Sequence, residues 1–237
     1  MLGTTYQERR AQIFAYFDGT ARETWKRLTS DAPLSAIRAT VRAGREAMRE
    51  TLLGWLPDDL SGRRILDAGC GTGLLALAAA ARGAEVVGVD LSPGLIALAR
   101  ERANATPFSA RITFLVGDML ADDLLAHQHG SFDHVIAMDS LIHYQPSDAV
   151  AAIAMFARSA RRSVLVTFAP RTLALGTMHA VGRLFPRGNR APAIVPVGGR
   201  ALRRRLAAEP ALAVAPGRSR RIARGFYISE ALEMVVR

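Results

Sequence analysis

The chain has 237 residues, half of them hydrophobic, and a formal net charge of +10 at pH 7. This length suits one α/β domain with an additional N-terminal element and a substantial core. No apolar run reaches the roughly 18 residues that a membrane span needs, and the N-terminus lacks a signal-peptide segment, so we predict a cytoplasmic protein. The single cysteine, Cys70, excludes an internal disulfide and a cysteine cluster for zinc.

The positive charge predicts anionic partners, which are nucleic acid, an acidic membrane surface or a carboxylate-bearing substrate. The charge by itself does not choose among these three classes. Almost all of the basic residues are arginine, with Lys26 as the lone lysine. A bias from lysine to arginine also arises from a GC-rich genome. We therefore give the arginine excess little weight as a functional signal.

The first sixty residues are predicted to be helical. From Tyr6 to Leu28 the apolar residues recur at steps of three and four, and Asp18-Gly19-Thr20 is expected to bend or split this helix. A second helix is predicted from Ser35 to Trp55, with a stripe of arginines along one side. The stripe is either a solvated helix face or a set of cations for substrate carboxylates; its members are Arg38, Arg42, Arg45 and Arg49.

A glycine-rich turn follows the first predicted strand. The run from Ile65 to Gly73 predicts a strand, a turn and the start of a helix, and the next strand ends at Asp90. Glycines allow a ligand to approach the backbone closely, and the helix start offers free N–H groups to that ligand. The spacing is G-x-G-x-G rather than the dinucleotide pattern G-x-G-x-x-G, and Asp67 precedes it.

From residue 63 a regular β/α alternation predicts a parallel sheet with helices on both faces. Residues 172–185 are apolar, and residues 186–199 are rich in proline, glycine and arginine. With two last strands, the sheet is predicted to have seven strands. The strands are placed near 63–67, 85–90, 111–116, 132–138, 162–168, 211–215 and 221–230, and the helices near 73–82, 93–105, 147–159 and 200–208.

Four of these strand ends carry an acid, namely Asp67, Asp90, Asp118 and Asp139. Ligands of open α/β sheets bind outside the carboxyl ends of the strands, at the point where strand order reverses. A single acid at such a place is commonly a helix cap or a turn former. Four acids at one sheet edge indicate a binding site.

The glycine turn with its flanking acids resembles motif I of the class I S-adenosylmethionine-dependent methyltransferases. The resemblance implies a Rossmann-like seven-stranded α/β sandwich, in which Asp90 accepts the ribose hydroxyls and Asp118 the adenine amine. The turn after the fourth strand would lie beneath the transferable methyl group. The implied cofactor-binding residues are Asp67, Gly69, Cys70, Gly71, Gly73, Asp90, Leu91, Asp118, Met119, Asp139 and Ser140.

The turn that begins at Asp139 also narrows the range of acceptors. It lacks the Asn/Asp-Pro-Pro-aromatic motif of amino methyltransferases that modify bases and the Pro-Cys of cytosine C5 enzymes. Aromatic residues make up 6% of the chain, and basic patches interleaved with base-stacking aromatics are absent from the sequence. We therefore expect no nucleic-acid partner.

Several segments outside motif I are similar to the magnesium-protoporphyrin IX O-methyltransferases of (bacterio)chlorophyll synthesis. They lie at residues 16–20, 25–28, 37–45, 139–144 and 175–186. The resemblance implies methyl transfer to one propionate of magnesium protoporphyrin IX, giving the 13-monomethyl ester. It also implies the large porphyrin-binding subunit of magnesium chelatase as a partner and peripheral contact with the photosynthetic membrane.

This resemblance implies a helical arm at residues 1–60 and a methyltransferase domain at residues 61–237, with a substrate-covering insertion after strand 5 at residues 170–199. A flat apolar porphyrin with two anionic propionates needs an apolar wall and cationic guides. His143 and Tyr144, in the turn after the fourth strand, are the expected catalytic residues, because they can hydrogen-bond and orient the reacting carboxylate; a structural role for His143 stays open. No protein-bound metal is expected. The implied substrate-binding residues are Phe17, Trp25, Arg38, Arg42, Met178, Arg183, Phe185 and Arg187.

Two other functions stay open at this point. The first is an O- or C-methyltransferase that acts on a quinone or a polyketide, which would share the cofactor site and differ in the arm and the insertion. The second is a non-catalytic scaffold that delivers porphyrin between enzymes. Such a scaffold would bind porphyrin without forming a methyl ester.

Overall fold

The computed structural model describes residues 4–20, 22–30, 33–121, 132–171, 193–209 and 212–237. The N-terminal part contains helices α1 (Thr4–Phe14), α2 (Arg22–Leu28) and α3 (Ala36–Leu53), with a π-helical turn at Ala15–Thr20 between the first two. The prediction that the first helix is split is therefore confirmed. The Asp18 carboxylate fixes this turn on the domain, because its Oδ1 accepts hydrogen bonds from Ser92 Oγ at 2.9 Å and from the Gly94 amide at 3.0 Å.

The described residues form one seven-stranded sheet with the order β3-β2-β1-β4-β5-β7-β6. Strands β1 to β5 are parallel to one another, and β7 is antiparallel to both β5 and β6. The predicted α/β class and strand number are confirmed. The strands are β1 (Arg64–Ala68), β2 (Glu85–Asp90), β3 (Ile112–Val116), β4 (Phe132–Ala137), β5 (Ala160–Phe168), β6 (Val214–Arg224) and β7 (Tyr227–Val236).

Helices cover both faces of this sheet. One apolar cluster joins α3, α4 and α5 to one face, and a second joins α6 and α7 to the other. Neighbouring residues of β1, such as Ile65 and Leu66, belong to opposite clusters, which explains why the inner strands are apolar without a polar alternation. These helices are α4 (Leu74–Ala81), α5 (Pro93–Asn104), α6 (Pro146–Ser159) and α7 (Gly199–Ala207), and short 3₁₀ turns occur at Ser109–Arg111 and Leu141–His143.

The two C-terminal strands differ from the prediction. The predicted bounds, 211–215 and 221–230, are wrong, because β6 runs through the predicted gap and the turn between the strands lies at Gly225-Phe226. Strand β6 is at the sheet edge and exposes most of its side chains, so it lacks the apolar alternation by which a strand is recognised. Gly225 has a φ of 53°, a conformation that favours glycine in a tight turn.

The strand order reverses between β1 and β4, the place where open α/β sheets bind ligands. The carboxyl ends of β1, β2 and β4 therefore meet there, and the N-terminal helices lie close by. The predicted apolar stretch at 172–185 and residues 172–192 of the predicted insertion lie outside the described residues. Within the described part of the chain, no helix is long and apolar enough to cross a membrane.

Candidate active site

Two adjoining cavities open at the carboxyl ends of the strands. The first has a volume of about 370 Å³, and its wall combines apolar residues of the N-terminal helices with the ends of β2 and β4 and the β6–β7 hairpin. The second, of about 440 Å³, lies between the glycine turn and α3. We call them the arm cavity and the turn cavity. Their walls share Trp25, Leu28, Arg45, Gly69, Gly71 and Met138.

The glycine turn has the geometry that its sequence predicts. The turn has positive φ values, which residues with a Cβ rarely adopt. They are 79° at Gly69, 54° at Gly71 and 77° at Gly73. A Cβ added at Gly69 would overlap the Ser140 side chain, whereas one at Gly71 would meet no atom within 4 Å. Gly71 therefore exposes its backbone to both cavities, and Gly73 is the N-cap of α4.

Asp90 holds the glycine turn in place from the end of β2. Its Oδ2 accepts a hydrogen bond from the Gly71 amide and its Oδ1 one from the Ser92 amide, both at 2.9 Å. Burial raises the pKa of this carboxyl group. The carboxylate also lines the arm cavity, so a ligand with hydroxyl donors can reach it.

Asp67 is the most deeply buried acid of the site. Its side chain lies in the wall of the turn cavity, and its Oδ2 has no hydrogen-bond partner among the described residues. Burial, followed by the proximity of Asp90, raises the pKa of Asp67 to about 7. An orphaned buried carboxylate beside an open glycine turn fits a cationic ligand group.

Cys70 lies in the wall of the turn cavity within the glycine turn. Burial, together with the nearby Asp67 and Asp90, raises the pKa of its thiol well above the usual value. The thiol is therefore protonated at neutral pH and is a poor nucleophile. This agrees with a small space-filling residue rather than a nucleophile.

Asp118 is bound by α1 in this structure. The Tyr6 hydroxyl donates to Asp118 Oδ1 at 2.5 Å, and Arg10 Nε pairs with Oδ2 at 2.9 Å. The Tyr6 ring also stacks on Tyr144 at 5.2 Å between centroids. Asp118 is outside the walls of both cavities, although its neighbours Gly117 and Met119 line the arm cavity. Its expected contact with adenine stays a prediction.

Asp139 adopts a strained backbone conformation at the end of β4. Its φ is 54°, unusual for a residue other than glycine, and its amide donates to Thr167 Oγ1 at 2.7 Å. Its carboxylate accepts hydrogen bonds from Arg45 Nη1 at 2.6 Å, Tyr227 Oη at 3.0 Å and Thr167 Oγ1 at 3.1 Å. The surrounding donors thus fix the turn after β4.

His143 and Tyr144, expected from the sequence to be catalytic, lie together in the arm cavity. His143 is buried, and its Nδ1 lies 3.4 Å from the carbonyl oxygen of Ala193. Its ring centroid is 6.1 Å from that of Phe17, which in turn is 5.5 Å from Trp25. Burial raises the pKa of Tyr144, so its hydroxyl is protonated at neutral pH. Leu91, Met119 and Ser140 also line this cavity, as do Phe17 and Trp25.

Two of the arginines predicted to bind the substrate do not line the arm cavity. Arg42 donates to the carbonyl oxygens of Leu28 and Arg27 at 3.1 and 2.9 Å and borders the turn cavity, not the arm cavity. Arg38 is exposed and lies outside both walls. The other predicted substrate-binding residues, Met178, Arg183, Phe185 and Arg187, lie outside the described residues.

The sequence offers no signal for Tyr227 or Thr167, and it singles out Arg45 only as one of four stripe arginines that could bind substrate carboxylates. Arg45 is a member of the predicted arginine stripe, but nothing in the sequence distinguishes it from Arg42 or Arg49. Tyr227 and Thr167 become recognisable when β5 and β7 bring them to Asp139. Across the described part of the chain, no group of three His, Cys, Asp or Glu side chains could hold a metal ion.

Two family models match the chain. Residues 137–236 match the model described as magnesium-protoporphyrin IX methyltransferase C-terminus, and residues 65–163 match a methyltransferase domain. The two matches overlap on the end of β4, the turn that carries His143, and α6. Together they span all seven strands except the first residue of β1.

The chain is also similar to proteins of named function. It is 44% identical to the magnesium-protoporphyrin O-methyltransferase of Rhodobacter capsulatus, over 96% of this chain and 97% of the relative. Identity to the Synechocystis enzyme of the same name is 34%, over 72% of this chain and 73% of that relative. A crystal structure of the magnesium protoporphyrin IX methyltransferase of Synechocystis with bound SAH superimposes with a TM-score of 0.82, at 28% identity, over 96% of this chain and 100% of that one.

Proposed function

The chain belongs to the magnesium-protoporphyrin O-methyltransferase family, and from this premise we propose that it methylates a propionate of magnesium protoporphyrin IX. The methyl donor is S-adenosylmethionine, and the product is the 13-monomethyl ester of (bacterio)chlorophyll biosynthesis. The observation that carries the proposal is the meeting of the turn cavity and the arm cavity at Gly69, Gly71 and Met138. A cofactor whose methionine end lies in the turn cavity can thereby present its methyl group to an acceptor in the arm cavity.

The site fits S-adenosylmethionine, which when bound supplies an electrophilic methyl group on a sulfonium. The buried carboxylate of Asp67 offers its unpartnered oxygen to a cationic group, and Asp90 can accept from the ribose hydroxyls. Leu91 and Met119 provide apolar contacts for adenine in the arm cavity. The remaining proposed cofactor contacts are Gly69, Cys70, Gly71, Gly73, Asp118, Asp139 and Ser140.

The reaction needs alignment more than acid–base chemistry. A propionate is ionised at pH 7 and is already a nucleophile, so no general base is required. One of its oxygens forms a bond to the methyl carbon while the carbon–sulfur bond breaks. Holding the reacting atoms in line in a dry site can contribute on the order of 7 to 11 kcal/mol to lowering the barrier.

We assign this alignment to His143 and Tyr144. Both side chains are buried in the wall of the arm cavity, and the 3₁₀ turn at Leu141–His143 places them directly after β4. The Tyr144 hydroxyl remains protonated at neutral pH and can donate a hydrogen bond to a carboxylate. In this role both residues orient the reacting propionate without removing a proton from it.

In this proposal the arm, residues 1–60, supplies the apolar wall of the acceptor-binding site. Phe17 and Trp25 line the arm cavity, and the core domain of residues 61–237 carries the cofactor cradle. The insertion at 170–199 would complete the wall with Met178 and Phe185 and supply Arg183 and Arg187. Arg38 and Arg42 would act as outer guides for the acceptor's propionates.

A positively charged surface on α7 indicates which kinds of partner the protein binds besides its substrate. Helix α7 exposes Arg200, Arg204 and Arg205, and none of the ion pairs between described residues includes them. A cationic surface of this kind favours an anionic membrane or an acidic protein. We propose peripheral contact with the photosynthetic membrane and delivery of porphyrin by the large subunit of magnesium chelatase.

A methyl-transfer assay tests the proposed function. The purified protein is incubated with S-adenosylmethionine and magnesium protoporphyrin IX, and the porphyrin is analysed by mass spectrometry. We expect a single added methyl group with the wild type and none with Asp90→Ala, which should also lose cofactor binding in calorimetry. Porphyrin binding without ester formation would indicate a delivery scaffold. Methylation of quinols but not of the porphyrin would indicate the other enzyme class.

A further inference from the structure

Arg45 occupies a position that the proposed function does not explain. Among the arginines of the described residues, it is the one that lines the arm cavity, and its side chain is about one quarter exposed. Its Cζ lies 4.7 Å from the centre of the Trp25 ring, a cation–π distance. A guanidinium in a mainly apolar wall needs an anion, and Asp139 supplies one, so the feature left to explain is the set of donors that Asp139 does not engage.

Asp139 orients the Arg45 guanidinium but does not engage all of the N–H donors of that group. Arg45 Nη1 donates to Asp139 Oδ2 at 2.6 Å, and no other hydrogen bond of Arg45 exists within the described residues. A guanidinium carries five N–H donors in a planar fork, which can hold a second carboxylate in bidentate geometry. Asp139 keeps hydroxyl donors from Tyr227, Thr167 and Ser229, so it does not depend on Arg45 alone.

Aromatic rings connect Arg45 to the turn after β4. Trp25 lies against the guanidinium, Phe17 is 5.5 Å from Trp25, and His143 is 6.1 Å from Phe17. All four side chains line the arm cavity. The wall of the cavity therefore carries a cation and an imidazole that are linked through two aromatic rings.

We propose that Arg45 binds the propionate that does not react, while the reacting propionate lies at His143. The inference rests on the proposed function and assigns the two carboxylates of the acceptor to two different groups of this wall. A strong ion pair withdraws electron density from a carboxylate and lowers its nucleophilicity. An arginine is therefore better suited to the spectator propionate than to the attacking one.

A binding experiment with three porphyrins distinguishes which of the two carboxylates contacts Arg45. Magnesium protoporphyrin IX carries both, its 13-monomethyl ester retains the spectator propionate, and its dimethyl ester has neither. Binding is measured by fluorescence titration in the presence of S-adenosylhomocysteine for the wild type, Arg45→Gln and Arg45→Lys. Arg158→Gln is the matched control, because it removes the same charge from an exposed position of α6.

We expect Arg45→Gln to weaken binding of the diacid and of the monoester by about 10- to 100-fold, the range of a hydrogen bond between charged groups. The dimethyl ester should change by less than about 3-fold, and the control should leave all three unchanged. Arg45→Lys keeps the charge but not the fork, so a loss of about 3- to 10-fold confined to the two acids is expected. If Arg45→Gln does not fold, the Arg45→Lys variant by itself tests the inference.

Other outcomes overturn the inference. A loss for the diacid alone would place the reacting propionate at Arg45, and an equal change for all three porphyrins would mean a structural role. Weaker binding of S-adenosylmethionine with normal porphyrin binding would mean that Arg45 holds the cofactor's carboxylate. Failure of the proposed function is recognised separately, because the wild type would then form no ester from the diacid.

Discussion

At the scale of single residues, the protonation of Asp67 makes the charge of the site depend on pH. Its pKa of about 7 in the folded protein exceeds the usual value of 3.8, chiefly because of burial. An acid with a raised pKa binds more protons in the folded state than in the unfolded state. Its contribution to stability is therefore fully present below pH 3.8 and is lost as the pH rises through about 7.

This pKa predicts that binding of S-adenosylmethionine strengthens with pH. If the ionised form of Asp67 receives the cationic cofactor, affinity should rise about fivefold to tenfold between pH 6 and pH 7.5, as the proton leaves. Calorimetry at several pH values measures this change, and buffers of different ionisation enthalpy report the released proton. Asp67→Asn should bind more weakly at pH 7.5 and show a flat profile. A wild-type profile equally flat would contradict the assignment.

The second residue-scale prediction concerns His143. If its ring orients the reacting propionate, His143→Ala should lower kcat by about 10- to 100-fold through loss of alignment. The affinity for S-adenosylmethionine should stay within about 3-fold, because the ring lies at the acceptor end of the arm cavity. Steady-state kinetics and calorimetry provide the two values. Unchanged turnover at saturating substrates would exclude His143 from the mechanism.

At the scale of elements, the contact between α3 and β7 positions the site. Gly44 of α3 is buried against Tyr227, which bonds to Asp139 at the end of β4. The amide of Phe226, in the turn before β7, donates to Thr40 Oγ1 of α3 at 3.3 Å. The helix that carries Arg45 is thus fixed to the hairpin that carries Tyr227.

We predict that Gly44→Ala disturbs this contact. A Cβ at Gly44 would lie within 2.6 Å of Tyr227 Cβ and Cγ, so the ring or the helix must move, at a cost of about 1 to 3 kcal/mol. Methyl transfer should fall as well. Gly19→Ala is the matched control, because its Cβ would meet no atom within 4 Å, and we expect no loss of stability. Urea unfolding measures both variants, and equal stability would show that α3 adjusts freely.

At the scale of the whole molecule, the net charge of +10 predicts adsorption to anionic surfaces. The protein should co-sediment with vesicles that contain anionic lipid and not with neutral vesicles. Binding should disappear as the salt concentration approaches about 1 M, where screening acts over about 3 Å. Reversing the charge of Arg200, Arg204 and Arg205 together should weaken binding by at least about 10-fold, since each arginine near the surface contributes about 1 kcal/mol. Salt-independent binding would contradict an electrostatic surface.

The sequence by itself determined the fold class, the glycine turn and the acids at the strand ends. These features depend on local periodicity and on the conformational freedom of glycine, which neighbouring residues encode. It misplaced β6 because an exposed edge strand needs no apolar alternation.

Only the tertiary structure decided which groups meet in the site. Arg45 and Asp139 are 94 positions apart, and Tyr6 and Asp118 are 112 apart. Such pairs form when the N-terminal helices pack across the sheet edge, and no local pattern encodes that packing. For this reason Arg45, one of four similar arginines in the sequence, became the cation of the arm cavity only in the folded chain.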